Sequence, residues 1–205
     1  MRLDFARHER QGTEVLEKSD LRKQLREARR AHAAAQPPAI RSLLFNRPPE
    51  PLLAMIPHGT VIGLYHATAN EAPTASYAKF FLERGHALAL PRFQSIKSEM
   101  AFAAFTDPFT ESDLVEGPFH LMQPKARAKD AIPDVVVVPL VGFTAQGHRL
   151  GQGGGHYDRW METHPGRTKI GLAWDVQLVD EIPLEPHDQG LDAVVTPTRM
   201  YGPFA

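Results

Sequence analysis

The chain contains no cysteine. Disulfides, thiolate metal sites and cysteine nucleophiles are therefore excluded together, and a cytoplasmic location is expected. No apolar run approaches the ~20 residues that a membrane-spanning helix needs. The longest, Val135 to Phe143, is broken by Pro139 and Gly142, so no membrane partner is expected. The start, Met1 to Lys18, is charged throughout and does not read as a secretory leader. Charge of one sign is lacking as well: 23 Lys plus Arg against 24 Asp plus Glu leaves a net −1. A general nucleic-acid binder carries a strong basic excess, so nucleic acid is not an expected partner. Familiar motifs are missing too. There is no Gly-Lys-Ser/Thr of a Walker loop and no nucleophile elbow, and the ten histidines form no HExxH pattern.

What is present is a chain of 205 residues, 42% hydrophobic, enough for one α/β domain with a real core. Residues 1–16 read as a charged tail, and 17–205 as a single domain. From Lys18 to Ala35, Leu21, Leu25 and Ala28 recur at helical spacing. Ser19 or Asp20 is the expected cap, and Pro37-Pro38 the stop. A short helix is expected over Ile40 to Phe45, then a linker at Arg47-Pro48-Pro49-Glu50-Pro51. Strands are expected at Thr60 to His66, at Ala87 to Leu90 (ending at Pro91), and at Met100 to Phe105. Further strands are expected at Val135 to Val138, Lys169 to Trp174 and Ala193 to Thr196. Helices fall at Thr74 to Arg84 and from His156. Continuous apolar strands alternating with helices argue a three-layer, Rossmann-like, mostly parallel sheet covered on both faces.

The most informative segment runs from Gly147 through His148, Arg149, Leu150, Gly151, Gln152, Gly153, Gly154, Gly155, His156 and Tyr157 to Asp158 and Arg159. Five of the 15 glycines fall within its first nine residues, between a buried strand and a helix start. Ligands of open α/β sheets bind at the carboxyl ends of strands. Glycines there let backbone N–H groups approach an anion closely, phosphate above all. Arg149 adds a bidentate donor. Asp158, in the first helical turn, is a candidate cap or Mg²⁺ ligand. The dinucleotide pattern GxGxxG fails in both registers, meeting His156 from Gly151 and Asp158 from Gly153. The segment therefore reads as a phosphate loop with the phosphate unspecified, or as a tightly turned surface connection.

Other residues carry two readings each. Lys18 and Arg22, four apart on the basic helix, either reach a triphosphate or form part of a solvated face with Lys23, Arg26, Arg29 and Arg30. Glu71 follows the first clear strand, as a ligand contact or a loop carboxylate. Asp188 and Asp192 flank the last strand, as metal ligands or turn caps. Trp174 is a core ring or a ligand platform.

These residues resemble a known pattern. Pro139-Leu140-Val141-Gly142-Phe143, a three-residue spacer and the segment from Gly147 to Asp158 are similar to the signature of the 5-formyltetrahydrofolate cyclo-ligase family. The rest follows in order. Lys18-Ser19-Asp20-Leu21-Arg22 resembles the N-terminal K-x-x-L-R helix, and Tyr65 with Glu71-Ala72-Pro73-Thr74 the Y…E-x-x-T segment. Leu90-Pro91-Arg92 resembles the L-P-R strand end, and Met122-Gln123-Pro124 the Ile-Gln/Glu-Pro turn. Ala173-Trp174 with Gln177, then His187-Asp188 and Asp192, resemble the C-terminal pieces. Two positions depart from the pattern: His156 stands where a tyrosine is usual, and Met122 where an isoleucine is usual.

The resemblance implies a Rossmann-like fold and conversion of 5-formyltetrahydrofolate to 5,10-methenyltetrahydrofolate with MgATP, in a cytoplasmic monomer. It implies Arg149, Lys18 and Glu71 as catalytic. It implies Lys18, Arg22, Gly147 and Arg149 through Asp158 around ATP, and Asp158 with Asp192 around Mg²⁺. The folate side would be lined by Glu71, Tyr65, Phe93, Gln123, Tyr157 and Trp174. Two rivals stay open: an ATP-independent enzyme of sugar-phosphate isomerase or CoA-transferase type, and a non-catalytic folate- or nucleotide-binding relative.

Overall fold

The structure, a computed structural model, describes residues 17–204. The charged stretch 1–16 lies outside the described residues. The first helix, α1 (Lys18–Ala35), covers the range its spacing predicts, and buries Leu21, Leu25, Arg29 and Ala33 on one stripe. Neither Ser19 nor Asp20 caps it. Glu17 holds the N-cap position without a side-chain bond, and its carbonyl accepts the N–H groups of Asp20 and Leu21. Two short helices follow, α2 (Pro38–Leu44) and α3 (Glu50–Leu53). The expected Arg47–Pro51 linker is thus half helix. Pro49 is the N-cap of α3 and Pro51 sits in its first turn, where a missing N–H costs nothing.

The remaining elements are β1 (Val61–Gly63), α4 (Ala75–Glu83), β2 (Ala87–Arg92), β3 (Ala101–Phe105), β4 (Leu114–Glu116), β5 (Met122–Pro124) and β6 (Asp130–Ala131). Then come β7 (Val135–Pro139), β8 (Gly142–Phe143), β9 (Arg149–Leu150), α5 (His156–Thr163), β10 (Thr168–Leu172), β11 (Ala193–Val195) and β12 (Met200–Tyr201). Eight strands form one sheet in the order β12-β11-β10-β7-β1-β2-β3-β6. The five from β11 to β2 are parallel. β12, β3 and β6 join antiparallel at the edges. β2 runs through Pro91 to Arg92 instead of stopping before it. Its pairing with β1 ends at Ala89, so Pro91 has no ladder bond to lose on that side, while β3 continues opposite.

The four consecutive valines of β7 serve both faces. Val135 and Val137 join the layer that contains Tyr77 and Phe81 of α4 and Leu52 of α3. Val136 and Val138 join Trp160 and Met161 of α5. This is the expected three-layer arrangement with helices on both faces.

The chain leaves the neighbours β1 and β7 in opposite directions, β1 towards β2 and β7 towards β10. That reversal opens a crevice at their carboxyl ends, where open α/β sheets bind ligands.

Candidate active site

Three connections meet at that crevice. The loop after β1 brings Tyr65 and Glu71. The segment after β7 brings the β8–β9 hairpin and then the glycine loop. The segment after β10 brings residues 184–189. Together with the start of α1 they enclose a cavity of about 550 Å³. Its lining takes in Lys18, Arg22, Tyr65, Glu71, Phe93 and Gln123, and every residue from Arg149 to Asp158.

Arg149 lies on β9, not in the loop as its motif suggested, and its side chain is only 3% exposed. One guanidinium nitrogen bonds the Asp158 carboxylate, while its buried Nε has no partner. Asp158 is thereby engaged with Arg149, and also accepts Gln189 N–H at 3.3 Å; it does not cap α5. The N-cap is Gly155, at φ 64°, a left-handed conformation that glycine adopts without strain. Among the described residues, the backbone N–H groups of Gly153, Gly154 and Gly155 donate to no protein acceptor. Lone amides at a helix start, facing a cavity, are anion donors.

Helix α1 faces this loop with four cations spaced by four, four and three. Lys18 Nζ lies 2.7 Å from both Glu185 Oε2 and Asp188 Oδ2. Arg22 Nε donates to Gly151 O at 3.0 Å. Arg26 holds Gln152 twice, at Oε1 (3.2 Å) and at the carbonyl (2.7 Å). Arg29, buried, reaches the Leu140 carbonyl at 3.2 Å and stands 3.8 Å from Glu71 Oε1. Burial works against the charge of Lys18, but hydrogen bonds with Asp188 and Glu185 outweigh it and raise its ammonium above the ordinary lysine value. Burial pulls the Arg29 guanidinium below its ordinary value, and Glu71 opposes that pull.

Glu71 is fixed through Oε2, which accepts Thr68 N–H and Oγ1–H, each at 2.9 Å. Its Oε1 accepts Gln152 Nε2 at 3.3 Å. Tyr65 gives its hydroxyl to Ala72 O at 2.7 Å, so only its ring is free to line the cavity. The Tyr157 hydroxyl is buried and has no partner. Burial, then the nearby Glu71 charge, hold it protonated far above the usual tyrosine range.

Phe93, Phe119 and His156 form an aromatic trio, with ring centroids 5.0 to 5.6 Å apart. His156 thus supplies a ring at the position where the family pattern has tyrosine. Burial, then Arg159, lower its pKa, so it is neutral at pH 7.

Four expectations are not met. Gln123 does not offer its amide to the cavity. Its Oε1 accepts Phe93 N–H and its Nε2 donates to Phe93 O, both at 3.0 Å, so the side chain holds the Phe93 backbone. Trp174 is a core ring: it is fully buried, packs edge-on to Phe45 at 5.2 Å, and donates Nε1–H to Asn70 O at 3.1 Å. Gly147, at φ 88°, turns the β8–β9 hairpin, and a Cβ there would strike the Phe204 ring. Asp192 lies at the opposite end of the sheet, where its carboxylate accepts Lys169 N–H at 2.6 Å before β10 and β11 begin their pairing. Of the two motif aspartates, it is Asp188 that lines the cavity along with Asp158.

Sequence reasoning missed Phe119, Glu185, and the hold of Arg26 and Arg29 on the site. The spacing of Lys18, Arg22, Arg26 and Arg29 carried the signal for the last two. No local pattern marked Phe119.

The fold and this crevice define the class: a three-layer α/β protein with a charged, glycine-lined cavity at the carboxyl ends of its parallel strands. Solved structures of the same fold include a 5,10-methenyltetrahydrofolate synthetase from Aquifex aeolicus, with a TM-score of 0.71 and 24% identity, covering 91% of this chain and 92% of that one. A second, from Mycoplasma pneumoniae, has a TM-score of 0.64 at 24% identity and covers 87% of this chain and 98% of that one. The sequence model of the 5-formyltetrahydrofolate cyclo-ligase family matches residues 14–197, and the chain belongs to that family. An Escherichia coli 5-formyltetrahydrofolate cyclo-ligase is 39% identical over 103 residues, 47% of this chain and 57% of that protein. The chain thus spans little more than half of that relative's length. A Mycolicibacterium smegmatis 5-formyltetrahydrofolate cyclo-ligase is 30% identical over 147 residues, 69% of this chain and 75% of that one. Among the described residues no helix is long and apolar enough to cross a membrane.

Proposed function

We propose that this chain closes 5-formyltetrahydrofolate to 5,10-methenyltetrahydrofolate at the expense of ATP. The observation that carries the reading is the composition of the cavity lining, which holds groups for both sides of the reaction: partnerless glycine amides, Arg149, Lys18 and Arg22 for phosphate, and Glu71, the Tyr65 ring and the Phe93 trio for the folate.

The chemistry requires both sides. A formyl oxygen on nitrogen is a poor leaving group. It attacks the γ-phosphorus of ATP, ADP departs, and the oxygen carries phosphate. The N10 amine then bonds the formyl carbon, the carbon–oxygen bond breaks, phosphate leaves and the N10 proton is lost. The protein's part is alignment and charge neutralisation. The glycine amides and Arg149 hold the phosphates from the loop, and Lys18 and Arg22 hold them from α1. Glu71, fixed by Thr68, accepts a folate N–H near the formyl group. The Tyr65 ring and the aromatic trio exclude water beside the pterin.

Asp158 and Asp188 are hard oxygen donors in the lining, of the kind that suits a divalent cation; to hold Mg²⁺, which would neutralise phosphate charge, they would have to loosen their pairs with Arg149 and Lys18. Asp192 plays no part in this proposal.

The test is an assay with 5-formyltetrahydrofolate, ATP and Mg²⁺, followed by methenyl-folate absorbance in the near ultraviolet. Absorbance is expected to rise only with ATP. Arg149→Ala is expected to reduce the rate by about 10² or more, the scale of losing one preorganised transition-state donor. Nucleotide binding without product would support a non-catalytic relative, and product formed without ATP would support an ATP-independent enzyme.

A further inference from the structure

Helix α1 reaches beyond the nucleotide side. Arg29, three turns along from Lys18, is the last of its four aligned cations, and it does not line the cavity. It is nonetheless buried at 7% exposure, a costly place for a guanidinium without a strong reason. Its Nε has no partner and its Nη1 bonds the Leu140 carbonyl at 3.2 Å. The negative charge it faces is Glu71, 3.8 Å away, whose side chain is 11% exposed.

Glu71 is gripped on its other flank by Thr68 and on Oε1 by Gln152. Gln152 is in turn held by Arg26. The carboxylate is therefore fixed by its own loop, by the glycine loop, and by a charge on α1. The first two contacts orient it, and Arg29 supplies the compensating positive charge.

We propose that Arg29 is a positioning residue that acts through Glu71. It keeps that carboxylate aimed at the folate while touching neither substrate. The proposal rests on the reading of the cavity as a cyclo-ligase site. It separates Arg29 from Lys18 and Arg22 on the same helix face: those two serve the nucleotide, whereas Arg29 serves the folate.

The experiment is a double-mutant cycle with wild type, Arg29→Met, Glu71→Gln and the double variant, using 5-formyltetrahydrofolate as the folate. Each protein is measured for kcat/KM towards that folate, for its ATP KM, and for folate affinity (Kd) in the absence of ATP. Arg29→Met is expected to lower folate kcat/KM on the order of tenfold or more, the scale of coupling between contacting charged groups. The ATP KM is expected to stay within about twofold of wild type, below the smallest such coupling. The double variant is expected to be no worse than Glu71→Gln alone. Arg29→Lys, which keeps the charge, is expected to recover most of the loss; Arg29→Gln carries the cycle with Glu71→Gln if the Met variant does not fold.

If the two losses multiply in the double variant, or ATP and folate terms fall together, Arg29 is a structural support of α1 and the proposal is overturned. A wild type that binds 5-formyltetrahydrofolate without converting it sinks the cyclo-ligase reading alone, and the affinity cycle then decides Arg29. A wild type that neither binds nor converts it overturns both.

Discussion

Single side chains in this cavity divide into those that face ligand space and those that aim them. Gln123 is the clearest of the second kind. Both ends of its amide are used on the Phe93 backbone, and Phe93 packs in the ring trio proposed to lie beside the folate. Gln123→Leu removes both bonds and leaves a buried N–H and C=O of Phe93 unpaired. The expected cost is about 2 to 4 kcal/mol of stability, from two lost hydrogen bonds and their orphaned partners. In kinetics, the folate KM is expected to rise while the ATP KM holds, because the glycine loop is untouched. A melting curve and two KM titrations check this, and equal rises in both KM values would return Gln123 to the general core. The motif that holds Gln123 was readable in the chain, but its role was not. A sequence pattern marks that a residue matters near a site, and only geometry separates touching a substrate from holding the residue that touches it. Asp188 and Asp192 make the same point. They are four residues apart in one motif, yet one lines the cavity and the other ties strand ends on the far side of the sheet.

At the scale of elements, the segment 184–189 and the start of α1 form a clasp over the phosphate side. Lys18 bonds Glu185 and Asp188 together, and Asp188 also accepts Glu185 N–H at 2.7 Å. Burial alone would push the Asp188 carboxyl up; hydrogen bonds from Lys18 and from Glu185 N–H outweigh it and hold it below the usual carboxylate range. Glu185 is lowered by its bond to Lys18. A carboxylate lowered in the folded state contributes stability that is present above its unfolded pKa and is lost as pH falls through its folded one. Lys18, raised, contributes fully below the ordinary lysine pKa and loses its share as pH rises from there through its folded one. The clasp should therefore hold across neutral pH and open on the acid side. Asp188→Asn is expected to lower the melting temperature by a constant amount down to about pH 4, with the gap to wild type closing below that. A gap that persists unchanged to about pH 3 would mean the carboxylate contributes through packing alone. Helices and parallel strands were legible at this scale because their apolar spacing is long and regular; α1, α4 and β7 fall where periodicity places them. The hairpins β4–β5 and β8–β9 were not. Their strands have two or three residues, too short for a period, and their pairing depends on what the large sheet presents beside them.

The whole molecule is unevenly held together. Among the described residues the two main cores flank the sheet, with 20 buried residues on the α4 side and 13 on the α5 side. The N-terminal half of α1 rests on a third and much smaller cluster, Leu21 and Leu25 against Val141, Leu150 and Ile182. The rest of its attachment is polar: Lys18 to the acidic segment, Arg22 and Arg26 to glycine-loop carbonyls. Such bonds compete with water and contribute little each when exposed. Opening of this half-helix should therefore need much less free energy than global unfolding, which the β7 and β10 amides report. Bound ATP would add its phosphates between α1 and the glycine loop, stabilising the closed form by an amount set by its concentration over Kd, about 2.7 kcal/mol at a hundredfold excess. Hydrogen exchange is expected to show the amides of the first two turns of α1 exchanging far faster than those of β7 in the free protein. Saturating ATP should slow them about a hundredfold, and slow β7 by a similar factor, because global opening also releases the nucleotide. Arg22→Ala is expected to remove most of that protection without altering exchange of the sheet in the free protein. If α1 exchanges as slowly as β7 before nucleotide is added, its seam is stronger than five apolar residues imply, and the cations along it are not what ties the helix to the site.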